Sequence, residues 1–295
     1  MTLRAAVLGH PIGHSKSPAL HRAAYAQLGV DLGYSAIDVT EDSLPDFMAK
    51  VREEGGWRGL SVTMPLKSAM VGEMDEVRGI ARTLGVVNTV AFETGGGSTR
   101  LVGYNTDVAG IVNALRHAGA ADAPAAVVLG GGGTAAAALA ALKELGAPGV
   151  QLFMRDVGRG AEARAASAAL GIPVQLLPLS GAAAAMAGAD VVISTLPPRA
   201  ADSLAAELAA ELAQERAGVG GRENAGVLLD VAYDPWPSRI ASAWQDAGGN
   251  VVPGLEMLIY QAVEQVRHFT GLGAAVPAEV IDVMCDAVGA PRRVF

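Results

Sequence analysis

Four consecutive glycines, Gly130 to Gly133, constrain this chain more than any other stretch. They follow the apolar run Ala126-Val-Val-Leu129 and lead into an alanine-rich segment where Leu139, Leu142 and Leu145 recur at helical spacing. A strand, a tight turn and a helix in that order open a βαβ unit, which calls for a parallel sheet with helices on its faces. Within the turn, Gly130, Gly132 and Ala135 satisfy the pattern G-x-G-x-x-G/A. The first glycine makes the turn, the second lets the backbone approach a pyrophosphate, and the small third residue lets the helix pack closely. Gly131, Gly133 and Thr134 complete a loop whose N–H groups, at a helix N-terminus, suit the phosphates of a dinucleotide.

At 295 residues the chain has room for two α/β domains, with a first boundary expected near residues 105–122. With 22 basic against 30 acidic residues the formal net charge is −8, so no positive field is offered to nucleic acid or an anionic membrane. The single cysteine, Cys285, excludes an intrachain disulfide and a multi-cysteine metal site. It fits a reducing compartment, and the cytoplasm is the expected location. Met1 to Leu8 is too short an apolar run for a signal peptide. Ala123 to Leu142 is uncharged over the length of a membrane span, but Pro124 and the glycines break it into strand and helix.

Ahead of the glycine loop, Leu3 to Leu8 reads as a strand, followed by a polar loop and a helix to about Leu28. Ser17 before Pro18 suits a helix N-cap; Ser15 and Ser17 together at a helix start could instead hold a carboxylate. His10, His14 and His21 lack the spacing and acidic partners of a metal site, and no metal is expected. Tyr34 to Val39 and Gly59 to Val62 read as strands and Leu44 to Val51 as a helix. Pro65 opens an expected helix with Lys67 in its first turn, where the positive end of the helix dipole disfavours a second positive charge and suits a proton donor.

Asp75 to Leu84 reads as a further helix, and Val86 to Phe92 pairs with Arg100 to Gly103 in a hairpin that places Asn88 inside a strand. Asp107 opens a helix with Val108, Ile111, Val112 and Leu115 on one face, either as its cap or as an active-site carboxylate. Past the glycine loop, the strand Gly149 to Met154 ends in Arg155-Asp-Val-Gly-Arg159, about twenty residues on, where ribose recognition is decided. Arg155 and Arg159 against Asp156 favour the 2′-phosphate of NADP, with NAD as the alternative. Strands at 172–177, 190–196 and 227–231 follow, with 218–226 as a loop. The proline-rich loop carrying Tyr233 leaves the edge where such sheets bind ligands. Leu255 to Phe269 is strongly helical, with Gln261 beside its apolar face, and 276–288 forms a last helix.

Ser15-Lys-Ser17, Thr63 to Lys67, Asn88-Thr89, Asn105-Thr-Asp107, the glycine loop and Gly254 to Gln261 occur in this order along nearly the whole chain. Together they make it resemble the shikimate dehydrogenase family. The resemblance implies an α/β protein of two domains: a substrate-binding domain of residues 1–106 plus 255–295, and a Rossmann-like NAD(P)-binding domain of 107–254. The C-terminal helix would return to the first domain. It implies reversible NADPH-dependent reduction of 3-dehydroshikimate to shikimate, in aromatic amino-acid biosynthesis, by a monomer or homodimer.

Carried across by the resemblance, Ser15 and Ser17 would bind the substrate carboxylate with Tyr233 nearby. Thr63, Asn88, Asp107 and Gln261 would hold ring hydroxyls, and Lys67 paired with Asp107 would move the proton. The loop Gly130 to Ala135, Arg155, Asp156 and Arg159, and then Thr195 and Gly254 toward the nicotinamide, would bind the cofactor. Two positions depart from the family pattern. Ser61 replaces a frequent asparagine beside the substrate, and Met154-Arg-Asp156 stands where Asn-Arg-Thr is usual. The second leaves an NAD-using quinate or aminoshikimate dehydrogenase as an alternative. A nucleotide-binding regulator without chemistry is the other, against which the retained Lys67 and Asp107 argue.

Overall fold

The computed structural model describes residues 2–95, 98–217, 226–272 and 276–292. The chain divides into two compact units, Met1–Asp107 with Leu258–Phe295, and Val108–Met257. The first contains β1 (Leu3–Gly9), α1 (Ser17–Leu28), β2 (Leu32–Asp38), α2 (Leu44–Glu53), β3 (Trp57–Val62), β4 (Glu76–Val77), α3 (Ile80–Leu84), β5 (Thr89–Gly95) and β6 (Ser98–Tyr104). Its sheet runs β2-β1-β3-β5-β6-β4. The strand β1 pairs in parallel with β2 and β3, while β5 is antiparallel to both β3 and β6.

Register decides where the loops emerge. Leu8 pairs with Val62, Ser61 with Thr89, and Thr89 with Tyr104. The ends of β1, β3 and β6 and the start of β5 therefore share one edge of the sheet, although they lie up to a hundred residues apart in sequence. Leu8, Leu60, Val62, Leu66, Met70, Val90 and Leu101 are buried with Leu44 and Met48 of α2 in the core beneath that edge.

Two helices expected from the sequence are replaced by other structure. No α-helix starts at Pro65: residues 64–68 are turns, followed by a 3₁₀ segment at Ala69–Glu73. The buried Leu66 anchors this turn, and the carbonyl of Lys67 accepts the N–H of Val87 at 2.9 Å instead of entering a helical ladder. Residues 75–84 likewise split into β4 and α3. The N–H groups of Asp75 and Arg78 donate to Leu101 and Gly103 of β6, and Gly79 at φ 55° breaks the chain before α3. Competing partners in a neighbouring strand override local helix propensity here. Asn88 lies just before β5 and not inside it. Of the hairpin turn, residues 96 and 97 fall outside the described residues, as does most of the loop expected at 218–226.

The helix α4 (Asp107–His117) leads into the second unit. There follow β7 (Ala126–Leu129), α5 (Gly133–Glu144), β8 (Val150–Met154), α6 (Ala161–Leu170), β9 (Val174–Pro178), α7 (Ala182–Ala187), β10 (Val191–Ser194), α8 (Ala205–Ala217), β11 (Val227–Asp230), α9 (Arg239–Asp246) and β12 (Asn250–Pro253). The order β12-β11-β10-β7-β8-β9, parallel throughout, is that of a doubly wound dinucleotide-binding sheet. Strand order reverses between β7 and β10, so a crevice opens at their carboxyl ends. Every residue from Ala135 to Leu142 is buried in α5, and the small side chains let that helix lie close to the sheet.

The chain closes with α10 (Gly254–Thr270) and α11 (Ala278–Val288). Within the first unit, Phe269 of α10 fills the space a Cβ would take at Gly59 of β3, its Cδ1 lying 1.9 Å from that position. Glycine is required there, and truncating the buried Phe269 to alanine would cost about 3–5 kcal/mol. No helix among the described residues is long and apolar enough to cross a membrane.

Candidate active site

At the shared edge of the first sheet, Lys67 Nζ lies 2.5 Å from Asp107 Oδ2, with side chains 14% and 6% exposed. The turn after β3 supplies the lysine and the segment after β6 supplies the aspartate, so the pair is made by strand register. The expected helix-dipole effect on Lys67 falls away, because no helix begins there. Its electrostatic partner is the carboxylate. Asp107 is the first residue of α4, and its N–H donates to Asn105 Oδ1 at 3.1 Å, so Asn105 satisfies the helix start and the Asp107 carboxylate is available to the lysine. The other oxygen, Oδ1, accepts Asn88 Nδ2 at 2.8 Å.

Asn88 is held on every side. Its Oδ1 accepts Thr89 Oγ1 and the N–H of Thr106, both at 2.7 Å, and its Nδ2 also reaches Thr106 Oγ1 at 3.0 Å. Thr106 Oγ1 in turn contacts Gln261 Oε1 at 3.2 Å, which brings α10 to this edge. Thr63 follows β3 and its N–H donates to Leu8 O, while Met64 O accepts the N–H of His10. The loops carrying Ser15 and Lys67 thus leave the sheet tied together.

Ser17 is not the N-cap of α1. Lys16 holds that position, and Ser17 is the first helical residue, buried, with its N–H 3.3 Å from Ser15 Oγ. The three histidines of this region go to different surroundings: His21 is fully buried, His10 pairs with Asp38 at 2.7 Å, and His14 is exposed. Ser61 does not face the site edge as the family pattern suggested. It is buried between Tyr34 and Gln265, at 2.6 and 2.7 Å.

In the second unit, Gly130 has φ 103°, and a Cβ there would lie 2.4 Å from Thr195 Oγ1, which itself donates to Leu129 O at 2.8 Å. At Gly131 a Cβ would meet Met154 Cε at 2.7 Å. No side chain caps the N-terminus of α5, where Gly132 is the N-cap. A backbone surface stripped of Cβ atoms, ending on uncapped helix N–H groups at the point where strand order reverses, fits a dinucleotide pyrophosphate. Arg155, Asp156 and Arg159 are exposed beyond β8. Asp156 Oδ1 accepts the N–H of Gly158 at 2.9 Å and so caps its own 3₁₀ turn. Tyr233 sits half-buried in the loop after β11, and Gly254 is packed against the backbone of Val231.

Two family models match the chain: the shikimate dehydrogenase substrate binding domain over residues 7–90, and the shikimate 5′-dehydrogenase C-terminal domain over residues 254–281. A shikimate dehydrogenase (NADP(+)) of Rubrobacter xylanophilus is 37% identical over 276 residues, 92% of each chain. The chain belongs to the shikimate dehydrogenase family. Among solved structures of that family, shikimate dehydrogenase from Mycobacterium tuberculosis is similar at TM-score 0.79 and 37% identity, covering 97% of this chain and 99% of the other. The Thermus thermophilus enzyme in complex with NADP(H) and shikimate is similar at TM-score 0.77 and 32% identity, with the same coverage.

Sequence reasoning about this shikimate dehydrogenase family member missed several residues that hold the site. Thr106 and Thr89 stand in the sequence only as parts of motifs, yet both hydroxyls contact Asn88. Gln265 belongs to none of the motifs, though a glutamine one turn beyond Gln261 on a buried helix is itself a signal, since a buried amide needs partners. Arg164 places a third guanidinium at the turn after β8, its Nη2 3.4 Å from Gly158 O.

Proposed function

We propose that this protein catalyses the reversible NADPH-dependent reduction of 3-dehydroshikimate to shikimate in the cytoplasm, with Lys67 and Asp107 as its proton-transfer pair. The observation that carries this reading is the 2.5 Å contact between a lysine and a carboxylate at an edge where four substrate-type loops converge. When bound, NADPH supplies the hydride that reduces the carbonyl carbon. The ammonium of Lys67 gives a proton to the carbonyl oxygen as negative charge develops there, and takes it back in reverse. Asp107 fixes the direction of the ammonium and, with Asn88, Thr63 and Gln261, receives the ring hydroxyls. Ser15, Ser17 and Tyr233 hold the carboxylate.

Arg155 and Arg159 recognise the 2′-phosphate. Asp156 keeps its charge, but its Oδ1 accepts the Gly158 N–H, which ties the carboxylate to the turn it caps, and two guanidinium groups stand against it. Shikimate oxidation by the purified protein, followed by absorbance of the reduced cofactor with NADP and with NAD, tests the reading. Quinate in the same assay separates the neighbouring specificity. Lys67→Ala should lower kcat by about 10²–10⁴ with a much smaller change in KM. No turnover of shikimate with either cofactor, or a full kcat in Lys67→Ala, would overturn it.

A further inference from the structure

Behind Asn88 the first unit buries a chain of polar side chains to which the proposed reaction assigns no direct part. Gln265 lies at its centre, 1% exposed. Its Oε1 faces two partners, Ser61 Oγ at 2.7 Å and His21 Nε2 at 3.2 Å, and an amide oxygen only accepts. Both partners must therefore donate, which places the imidazole proton of His21 on Nε2 and leaves Nδ1 to accept from Tyr25 Oη at 3.1 Å. The hydroxyl of Ser61, committed to Gln265, accepts from Tyr34 Oη at 2.6 Å.

On its other side, Gln265 Nε2 donates to Asn88 O at 3.2 Å and Thr89 Oγ1 at 3.0 Å. Thr89 Oγ1 then donates to Asn88 Oδ1, and Asn88 Nδ2 donates to Asp107. Every donor from Tyr25 and from Tyr34 points the same way, and the chain ends on a carboxylate, a group that only accepts. An amide flip at Gln265 or Asn88 would break at least two buried hydrogen bonds, so each link fixes the orientation of the next.

We propose that Gln265 and Thr89 are positioning residues for the reaction: by locking the amide of Asn88 in one orientation they set the rotamer of Asp107, and through it the aim of Lys67 Nζ. This rests on the assignment of Lys67 as proton donor. Neither residue needs to touch substrate.

Thr89→Val removes the hydroxyl at nearly constant volume, and Thr89→Ser restores it. Thr89→Val is expected to lower kcat on the order of tenfold, the scale of a misaimed catalytic group, with KM for shikimate within about twofold. Thr89→Ser should recover most of the loss, and Gln265→Met should reproduce it. In a Lys67→Ala background, Thr89→Val should change the residual rate by less than about twofold, because it acts only through the missing amine. Wild-type turnover with a steep Lys67→Ala loss secures the underlying assignment separately. With that in place, a full kcat in both Thr89→Val and Gln265→Met, or the same fold-loss with and without Lys67, would overturn the positioning role. Should Thr89→Val fail to fold, the Gln265→Met pair in both backgrounds decides alone.

Discussion

His21 makes the first unit acid-labile. The ring is fully buried, stacked on Tyr34 with centroids 4.1 Å apart, and both nitrogens are engaged by Tyr25 and Gln265. Burial pushes its pKa down to about 3, with the hydrogen bond to Gln265 offsetting part of the fall. Burial pushes the hydroxyl pKa values of Tyr25 and Tyr34 upward, so both stay protonated throughout the acid range. In the unfolded chain the ring titrates near its ordinary value of about 6.5.

Between those two values the unfolded state binds a proton that the folded state refuses. Stability therefore rises with pH from about 3 to about 6.5, levels off above, and is lost on acidification. From pH 7 to pH 5 the unfolded ring moves about 1.5 pH units below its pKa. At about 1.36 kcal/mol per unit this gives a loss of about 2 kcal/mol. Urea unfolding of the wild type and of His21→Gln at both pH values, followed by tryptophan fluorescence, isolates the effect. The variant is less stable at pH 7 but has no titrating group there, so the wild type should lose about 2 kcal/mol more than the variant on going to pH 5. Equal losses would mean that the ring protonates inside the fold, and the reasoning from burial would fail.

Gly130→Ala should destabilise the second unit even without cofactor, because a Cβ at φ 103° is strained and would collide with Thr195 Oγ1. A loss of about 1–3 kcal/mol is expected, read as a lower thermal midpoint, and an unchanged midpoint would refute the close approach. Asp156→Ala should raise KM for NADP a fewfold by loosening the turn it caps, leaving the preference for NADP over NAD intact. A fall in KM for NADP would instead show that the carboxylate repels the 2′-phosphate.

What could be read from the chain alone was whatever depends on local spacing. The glycine run with Leu139, Leu142 and Leu145 behind it specified strand, turn and helix, since a positive-φ turn and a helical stripe leave few other folds open to that segment. The motif order was enough to indicate the family. Local spacing failed where a distant strand competed for the backbone: the helices expected from Pro65 and from Asp75 gave way because Val87 and β6 took their hydrogen bonds. Asp107 could be read as a cap or as a functional carboxylate, and its partners came only with the tertiary structure, in which Asn105 meets the helix start and Lys67 the carboxylate. The connection of Ser61, Thr89 and Gln265 to one another was not legible, because a hydrogen-bond chain joining residues 204 positions apart exists only once β3 and α10 are packed together. Propensity acts over a few residues, whereas the direction of a buried amide is set by whichever partners the fold brings to it.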